Sequence, residues 1–136
     1  MPQDAKLAPG LEGRATLVVA PEHTAPRVGS GRIAVLATPV LINVIEAAAL
    51  DCCEHLLPPG QQSLGTHLDI RHIAATPVGM HVEAKARLVG VDGRMLEFRV
   101  EAHDERELIG DGTHVRVVVS VARFAARVQA KRQPQD

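Results

Sequence analysis

The sequence predicts an α+β fold in which one long central helix is wrapped by an antiparallel β-sheet of about five strands. Three observations carry this. One segment, Pro39 to about Leu57, is long, strongly apolar and free of interior glycine or proline. A single short β-rich run precedes it. After Gly60 the chain alternates apolar and polar residues through successive segments separated by turn signals.

A length of 136 residues fits one domain, expected over 1–136 with flexible ends at about 1–12 and 129–136. Hydrophobic residues make up 46%, enough for a core. The net charge of −1 leaves no cationic excess to hold a phosphate backbone. Two Phe and no Trp or Tyr remove the stacking platforms of single-strand binders, so no nucleic-acid partner is expected. The longest apolar stretch, Val40 to Leu50, contains Asn43 and Glu46 and is too short to span a bilayer. The opening MPQDAKLAPG lacks the apolar stretch of a signal peptide, so a cytoplasmic protein with no membrane partner is expected. Cys52 and Cys53 are adjacent, which strains a disulfide; they are expected as small buried thiols.

In chain order, Ala15 to Ala20 is a short strand ended by Pro21, and Pro21 to Arg32 is loop-like. Thr38-Pro39 starts the helix as an N-cap hydroxyl followed by proline, and Pro58-Pro59-Gly60 stops it. At its full extent this helix is about 28 Å long. It is apolar nearly all round, which predicts burial on most sides. Thr66 to His72 alternates, with Leu68 and Ile70 on the face opposite His67, Asp69 and Arg71. Thr76 to Gly79 is a turn. Met80 to Leu88 and Met95 to Ala102 are alternating strands joined through the hairpin signal Asp92-Gly93. Arg106 lies in a further turn, and Val115 to Val121 is a Val-rich strand expected to be buried on both faces or at an interface. Everything after Gly60 therefore reads as sheet. One strand, one helix and four strands make the architecture called the hotdog fold. A single sheet covers its helix on one side only, so a homodimer, with a higher oligomer as an extension, is expected.

Three residues stand out chemically. Glu46 sits between Ile45 and Ala47 in the apolar helix, where an unpaired carboxylate costs several kcal/mol. Its plain reading is a narrow polar stripe shared with Asn43 and Glu54. His72 shares the face of Leu68 and Ile70, turned toward the helix; its plain reading is a satisfied core residue, its functional one an acid–base group. Thr38 reads first as an N-cap, but a hydroxyl at the positive helix end also suits an oxyanion. Thr38 and Glu46 are eight residues apart, about two turns. His81 and His103 read as solvated, while His23 and His55 fall in a loop and at a helix end. No pair has metal-ligand spacing, so no metal is expected. There is no G-x-S-x-G elbow and no P-loop, and Gly110-Asp111-Gly112 is too short to signal a dinucleotide site.

At Ser63-Leu64-Gly65-Thr66, His72-Ile73-Ala74-Ala75-Thr76-Pro77-Val78-Gly79, Ala102-His103-Asp104 and Ile109 to His114, the chain resembles the fluoroacetyl-CoA thioesterase-like branch of the hotdog superfamily. The resemblance runs from roughly Ala15 to Arg127, with Ala37-Thr38 and Glu46 in register. It implies a catalytic set of Thr38, Glu46 and His72, a substrate-contacting Gly65, and a late arginine at Arg116. The plain reading of Arg116 is an ordinary surface arginine. One departure is clear: Pro26 to Leu36, the lid-like stretch before the helix, has no aromatic residue, which weakens the case for a fluorinated acyl group.

The expected function is hydrolysis of a short or otherwise small acyl-CoA thioester to the free acid and CoA. No cofactor is expected, since coenzyme A belongs to the substrate. Glu46 would attack the carbonyl or activate water, and His72 would be its acid–base partner. Thr38 would hydrogen-bond Glu46 or the thioester, and N–H groups near Gly65 would hold the oxyanion. The competing reading is a non-catalytic acyl-CoA-binding hotdog protein, a sensor or carrier. An enoyl-thioester hydratase is disfavoured, because no stretch matches its Asp-His pair.

Overall fold

The long helix forms against one face of a curled sheet, and the order of elements follows the expected plan with two further helices. The computed structural model describes residues 6–134. Its strands are β1 (Glu12–Val18), β2 (Gln61–His72), β3 (His81–Asp92), β4 (Met95–His103) and β5 (Leu108–Ser120). Its helices are α1 (Ala25–Val28), α2 (Thr38–Cys53) and α3 (Val121–Ala130). The sheet runs β1-β3-β4-β5-β2, and every neighbouring pair is antiparallel. The α+β expectation of one long central helix wrapped by a sheet of about five strands is borne out. Among the described residues, no helix is long and apolar enough to cross a membrane.

The buried residues of α2 recur in adjacent pairs: Val40 and Leu41, Val44 and Ile45, Ala48 and Ala49, Cys52 and Cys53. That three-to-four residue repeat makes one stripe along the helix. It shares a core cluster with Val82, Ala84, Ala86 and Leu88 of β3 and Leu96, Phe98 and Val100 of β4. Each fully buried Leu or Ile there contributes about 2 kcal/mol. Helix and sheet approach closely at Gly13 of β1, where a Cβ would strike the backbone of Ala48 and Cys52. Glycine is therefore required to seat the helix. Cys52 and Cys53 are free and buried, and burial pushes the Cys53 thiol up to about 12.

Several expectations need correction. Regular α-helix stops at Cys53, and one 3₁₀ turn, Glu54–Leu56, completes the segment. The helix is not buried on most sides: Thr38, Pro39, Asn43, Ala47 and Leu50 form an exposed stripe, because the sheet reaches only the opposite face. The segment after Pro21 is not plain loop but holds a 3₁₀ turn and α1, ended by Gly29 in the left-handed region at φ +86°. β5 alternates rather than being buried on both sides. His114, Arg116 and Val118 are buried, while Val115, Val117 and Val119 are half-buried. Finally, α3 is an exposed helix in a region read as strand and tail, begun by Ser120, whose Oγ accepts the Arg123 N–H.

β2 determines which residues look at the helix. It begins at Gln61, five residues before the expected start. Gly65 pairs with Arg116, but His67 pairs with Val115 and Leu68 with His114, so Thr66 is an extra residue, a β-bulge. The bulge switches parity. Ser63 and Gly65 share the inner face with Leu68, Ile70 and His72, which a regular strand of period two could not arrange. β2 is also an edge strand, with Leu64 and Leu68 each 38% exposed.

Candidate active site

At the N-terminal end of α2, Thr38 Oγ1 and His72 Nδ1 share a hydrogen bond of 2.7 Å. The N-cap is Ala37, and no side chain caps the helix. Thr38 is instead the first helical residue, and its hydroxyl is free to engage the imidazole arriving from the end of β2. The capping expectation is thus overturned, and the reason is local: Ala37 already has the extended backbone of a cap position. His72 Nε2 is buried without a hydrogen-bond partner among the described residues. Burial pushes the His72 pKa below its ordinary value, partly opposed by the Ala74 backbone. Thr38 and His72 stand in the wall of an open cavity of about 290 Å³, whose other lining includes Ala25, Ser30, Val35 and Ala74.

That wall is built by motifs distant in sequence. Thr76 is fully buried and donates its hydroxyl to Asp104 Oδ2 at 2.9 Å. Its carbonyl accepts the Leu36 N–H at 2.8 Å, which ties the segment before α2 to the turn after β2. Asp104 also accepts the N–H groups of Arg106 and Glu107 at 2.8 and 3.0 Å. Burial opposes its charge, but these three donors hold its carboxyl below the usual range.

Two turns along α2, Glu46 faces a second cluster. Glu46 Oε2 accepts from Arg116 Nη1 at 3.4 Å; the arginine side chain is 6% exposed and the glutamate 33%. The plain surface reading of Arg116 is therefore wrong, because its even position on β5 falls on the inner face. Arg116 Nε donates to Ser63 Oγ at 2.8 Å, and Nη2 donates to the Ser63 carbonyl at 3.0 Å. Ser63 in turn gives its hydroxyl to Glu54 Oε1 at 2.6 Å and its N–H to Oε2 at 2.9 Å. A guanidinium cannot deprotonate and needs such partners when buried.

His114, fully buried, completes the cluster. Its Nδ1 lies 2.9 Å from the His67 carbonyl, which can only accept, and its Nε2 lies 3.2 Å from Arg116 Nη1, which can only donate. Both contacts together require the neutral imidazole with the proton on Nδ1. Burial, with the nearby Arg116 charge adding to it against the His67 carbonyl, lowers its pKa. Gly65 sits opposite Glu46: a Cβ there would come within 2.5 Å of Glu46 Oε2 and 3.1 Å of His114 Cε1. An acyl carbonyl at this point could approach both the carboxylate and the strand backbone.

Each residue singled out from sequence lies at one of these two places. Thr38 and His72 meet; Glu46, Gly65 and Arg116 meet. The two groups are separated by eight residues of α2, about 12 Å along the axis. Sequence reasoning missed His114, Ser63 and Glu54 as members. Two polar residues at even positions of a Val-rich strand were the available signal for His114. Ser63 was hidden by the bulge.

Residues 19–122 match the model of a protein family described as fluoroacetyl-CoA-specific thioesterase. The chain belongs to this family. A fluoroacetyl-CoA thioesterase of Streptantibioticus cattleyicolor is 42% identical over 97 residues, which cover 71% of this chain and 70% of that protein. A solved structure of the fluoroacetyl-CoA thioesterase FlK superposes with a TM-score of 0.89 at 34% identity, covering 96% of this chain and 100% of that one. A thioesterase superfamily member from Thermus thermophilus reaches a TM-score of 0.81 at 27% identity, over 97% of this chain and 96% of its own. A threonine variant of FlK solved with acetyl-CoA gives a TM-score of 0.87 at 34% identity, over 92% of this chain and 98% of that one. Membership in the fluoroacetyl-CoA-specific thioesterase family makes this chain a thioester hydrolase acting on small acyl-CoA esters, and the hotdog architecture is shared with these solved relatives. The segment facing its cavity, from Ala25 to Leu36, remains without an aromatic side chain.

Proposed function

We propose that this thioester hydrolase works as a homodimer whose sites join Thr38 and His72 of one copy to Glu46, Gly65 and Arg116 of the other. The observation that carries the chemistry is the Thr38–His72 hydrogen bond beside a cavity, with His72 Nε2 left unpartnered. A buried N–H without an acceptor is costlier than a bare lone pair, so Nδ1 donates to Thr38 and Nε2 is the basic nitrogen. Burial keeps that imidazole neutral near neutral pH, as a general base requires.

Three features support the dimer. β2 has an unpaired edge, Leu64 and Leu68 on it are exposed, and the stripe of α2 that the sheet cannot reach is open. Antiparallel pairing of two β2 edges about a two-fold axis runs the His72 end of one copy past Gly65 of the other. The two clusters that α2 holds apart in one chain then meet across the interface.

In the reaction, Glu46 supplies the attacking oxygen, directly or through a water it deprotonates, while Arg116 orients its carboxylate. The carbonyl oxygen gathers negative charge and is held by backbone N–H groups at Gly65. As the C–S bond breaks, the proton taken from the attacking water passes through the basic Nε2 of His72 to the departing thiolate. In the direct route the thiolate leaves unprotonated and receives, again through Nε2, the proton of the water that opens the Glu46 anhydride. Thr38 keeps accepting the Nδ1 hydrogen bond, so Nε2 remains the nitrogen that takes and returns the proton. In ¹⁸O-water under single turnover, label found in Glu46 identifies direct attack, since only water opening a mixed anhydride at the Glu46 carbonyl puts solvent oxygen there.

The substrate class is a short acyl-CoA. The lid-like segment offers alanine, valine and leucine to the acyl group, and no ring to grip a fluoromethyl. The test follows CoA thiol release from acetyl, fluoroacetyl, medium-chain and aryl esters with the wild type, Glu46→Gln and His72→Ala. Turnover of short esters that both variants lose while remaining folded dimers supports the reading. Binding without turnover would transfer the protein to the sensor or carrier class.

A further inference from the structure

We propose that the cleft between α3 and the β3–β4 turn is an anion subsite that takes the phosphorylated nucleotide half of coenzyme A. The cleft, about 100 Å³, is lined by Arg94 from the turn, Val119 and Ser120 from β5, and Arg123, Phe124 and Arg127 from α3. Three guanidiniums from two separate elements converge there with no acidic residue in the lining. None of the three forms an ion pair among the described residues, whose bridges all lie elsewhere. In a chain of net charge −1 this is a local concentration of unpaired positive charge. Like charges this close repel, and an anion with several oxygens offsets that repulsion by accepting forked hydrogen bonds. Arg123 and Arg127 are four apart, hence on one face of α3, with Phe124 beside them.

Phe124 is the second observation. The chain has two Phe and no Trp or Tyr. One, Phe98, fills the core; the other stands 37% exposed within the arginine cleft. A ring flanked by guanidiniums suits a purine base with phosphates attached.

Position supplies the third. Ser120 follows Arg116 by four residues on β5, about 13 Å along the strand. The pantetheine arm, with two amides, spans about as much as four extended residues, about 14 Å. A thioester at Gly65 and Glu46 can therefore leave its nucleotide at α3. This placement rests on the site proposed above; the charge and aromatic content of the cleft do not.

The first arm of the test is calorimetric titration with adenosine 3′,5′-bisphosphate, the nucleotide fragment alone, which needs no turnover. Arg123→Ala/Arg127→Ala is expected to weaken binding at least about tenfold, roughly one lost charge-assisted contact. Arg87→Ala, which removes an exposed charge from β3, is expected to leave it unchanged. The second arm compares KM for an acyl-CoA with KM for the matching acyl-pantetheine. The double variant should raise only the former, with kcat retained. Unchanged nucleotide affinity in the double variant overturns the subsite. So does equal competition by inorganic phosphate, which would mark a generic anion patch. Loss of binding to anionic vesicles with nucleotide affinity intact would assign α3 to a lipid surface and overturn it equally. If no ester is turned over, the first arm still decides the cleft, and the failure belongs to the active-site proposal.

Discussion

Gly65→Ala is the sharpest perturbation available, because it replaces one hydrogen with a methyl group at a known distance from the carboxylate. The new methyl would lie 2.5 Å from Glu46 Oε2 and 3.5 Å from Arg116 Nη1. Ordinary contact begins near 3.4 Å, so the carboxylate must retreat by about 0.9 Å. Glu46 can do so, since its side chain is 33% exposed and its 3.4 Å bond to Arg116 is long. Gly65 lies in extended strand outside the positive-φ glycines, so alanine imposes no backbone strain. The fold should survive, with a loss of no more than about 1 kcal/mol. Catalysis should not: a misplacement of about 1 Å costs on the order of a hundredfold in rate, or about 2.7 kcal/mol. The assay is kcat/KM for thiol release alongside thermal unfolding. In a Glu46→Gln background the same alanine should cost little further, because both changes act on one group. Wild-type activity in Gly65→Ala, or full additivity with Glu46→Gln, would refute the claim that this strand face presents Glu46 to the thioester.

Three further outcomes are expected. Thr38→Ala should lower kcat at least about tenfold while costing less stability than the roughly 1 kcal/mol of a lost N-cap, since the hydroxyl bonds His72 and caps nothing; Thr38→Ser should restore activity, and a purely thermal effect would contradict the assignment. Ser63→Ala should destabilise by about 1–3 kcal/mol in urea titration, because it strips one partner from a buried guanidinium; a change under about 0.5 kcal/mol would mean Arg116 is held otherwise. Burial lowers the pKa of His72 and His114 from 6.5, so just below that pH the folded chain binds fewer protons than the unfolded one. Stability from these groups is complete above 6.5 and is lost as pH falls toward the folded values. The unfolding midpoint should therefore drop from about pH 7 to 5, less steeply in His72→Gln, and a flat profile would contradict the burial of these rings.

Much of this was legible in one dimension. Pro39 to Leu57 announced its helix by a largely apolar segment free of interior glycine and proline between proline signals, and Met80 to Leu88 announced its strand by strict alternation, because both periods are properties of the backbone. Thr38, Glu46 and His72 were visible as polar groups in apolar settings. Invisible were the parity switch at Thr66, the burial of Arg116 and the helix after Ser120. A bulge depends on what the partner strand opposes to each residue, and Val-rich sequence around Arg116 looks the same whichever face it turns inward. The segment after Val121 has helical periodicity, but its short apolar face packs so little that its existence competes with a frayed end.

The sequence by itself determined the inventory: one helix, a mainly antiparallel sheet, and the few ionisable groups able to act on a thioester. Local periodicity and local propensity suffice for that. Tertiary structure decided the company each group keeps. It took the Thr38 hydroxyl from the helix cap to His72, and put the charge of Arg116 beside Glu46 with Ser63 and Glu54 behind it. It also separated those clusters by two turns of one rigid helix. Hydrogen bonds and ion pairs depend on distances of a few ångströms between residues dozens apart in sequence, and only the folded sheet sets those distances.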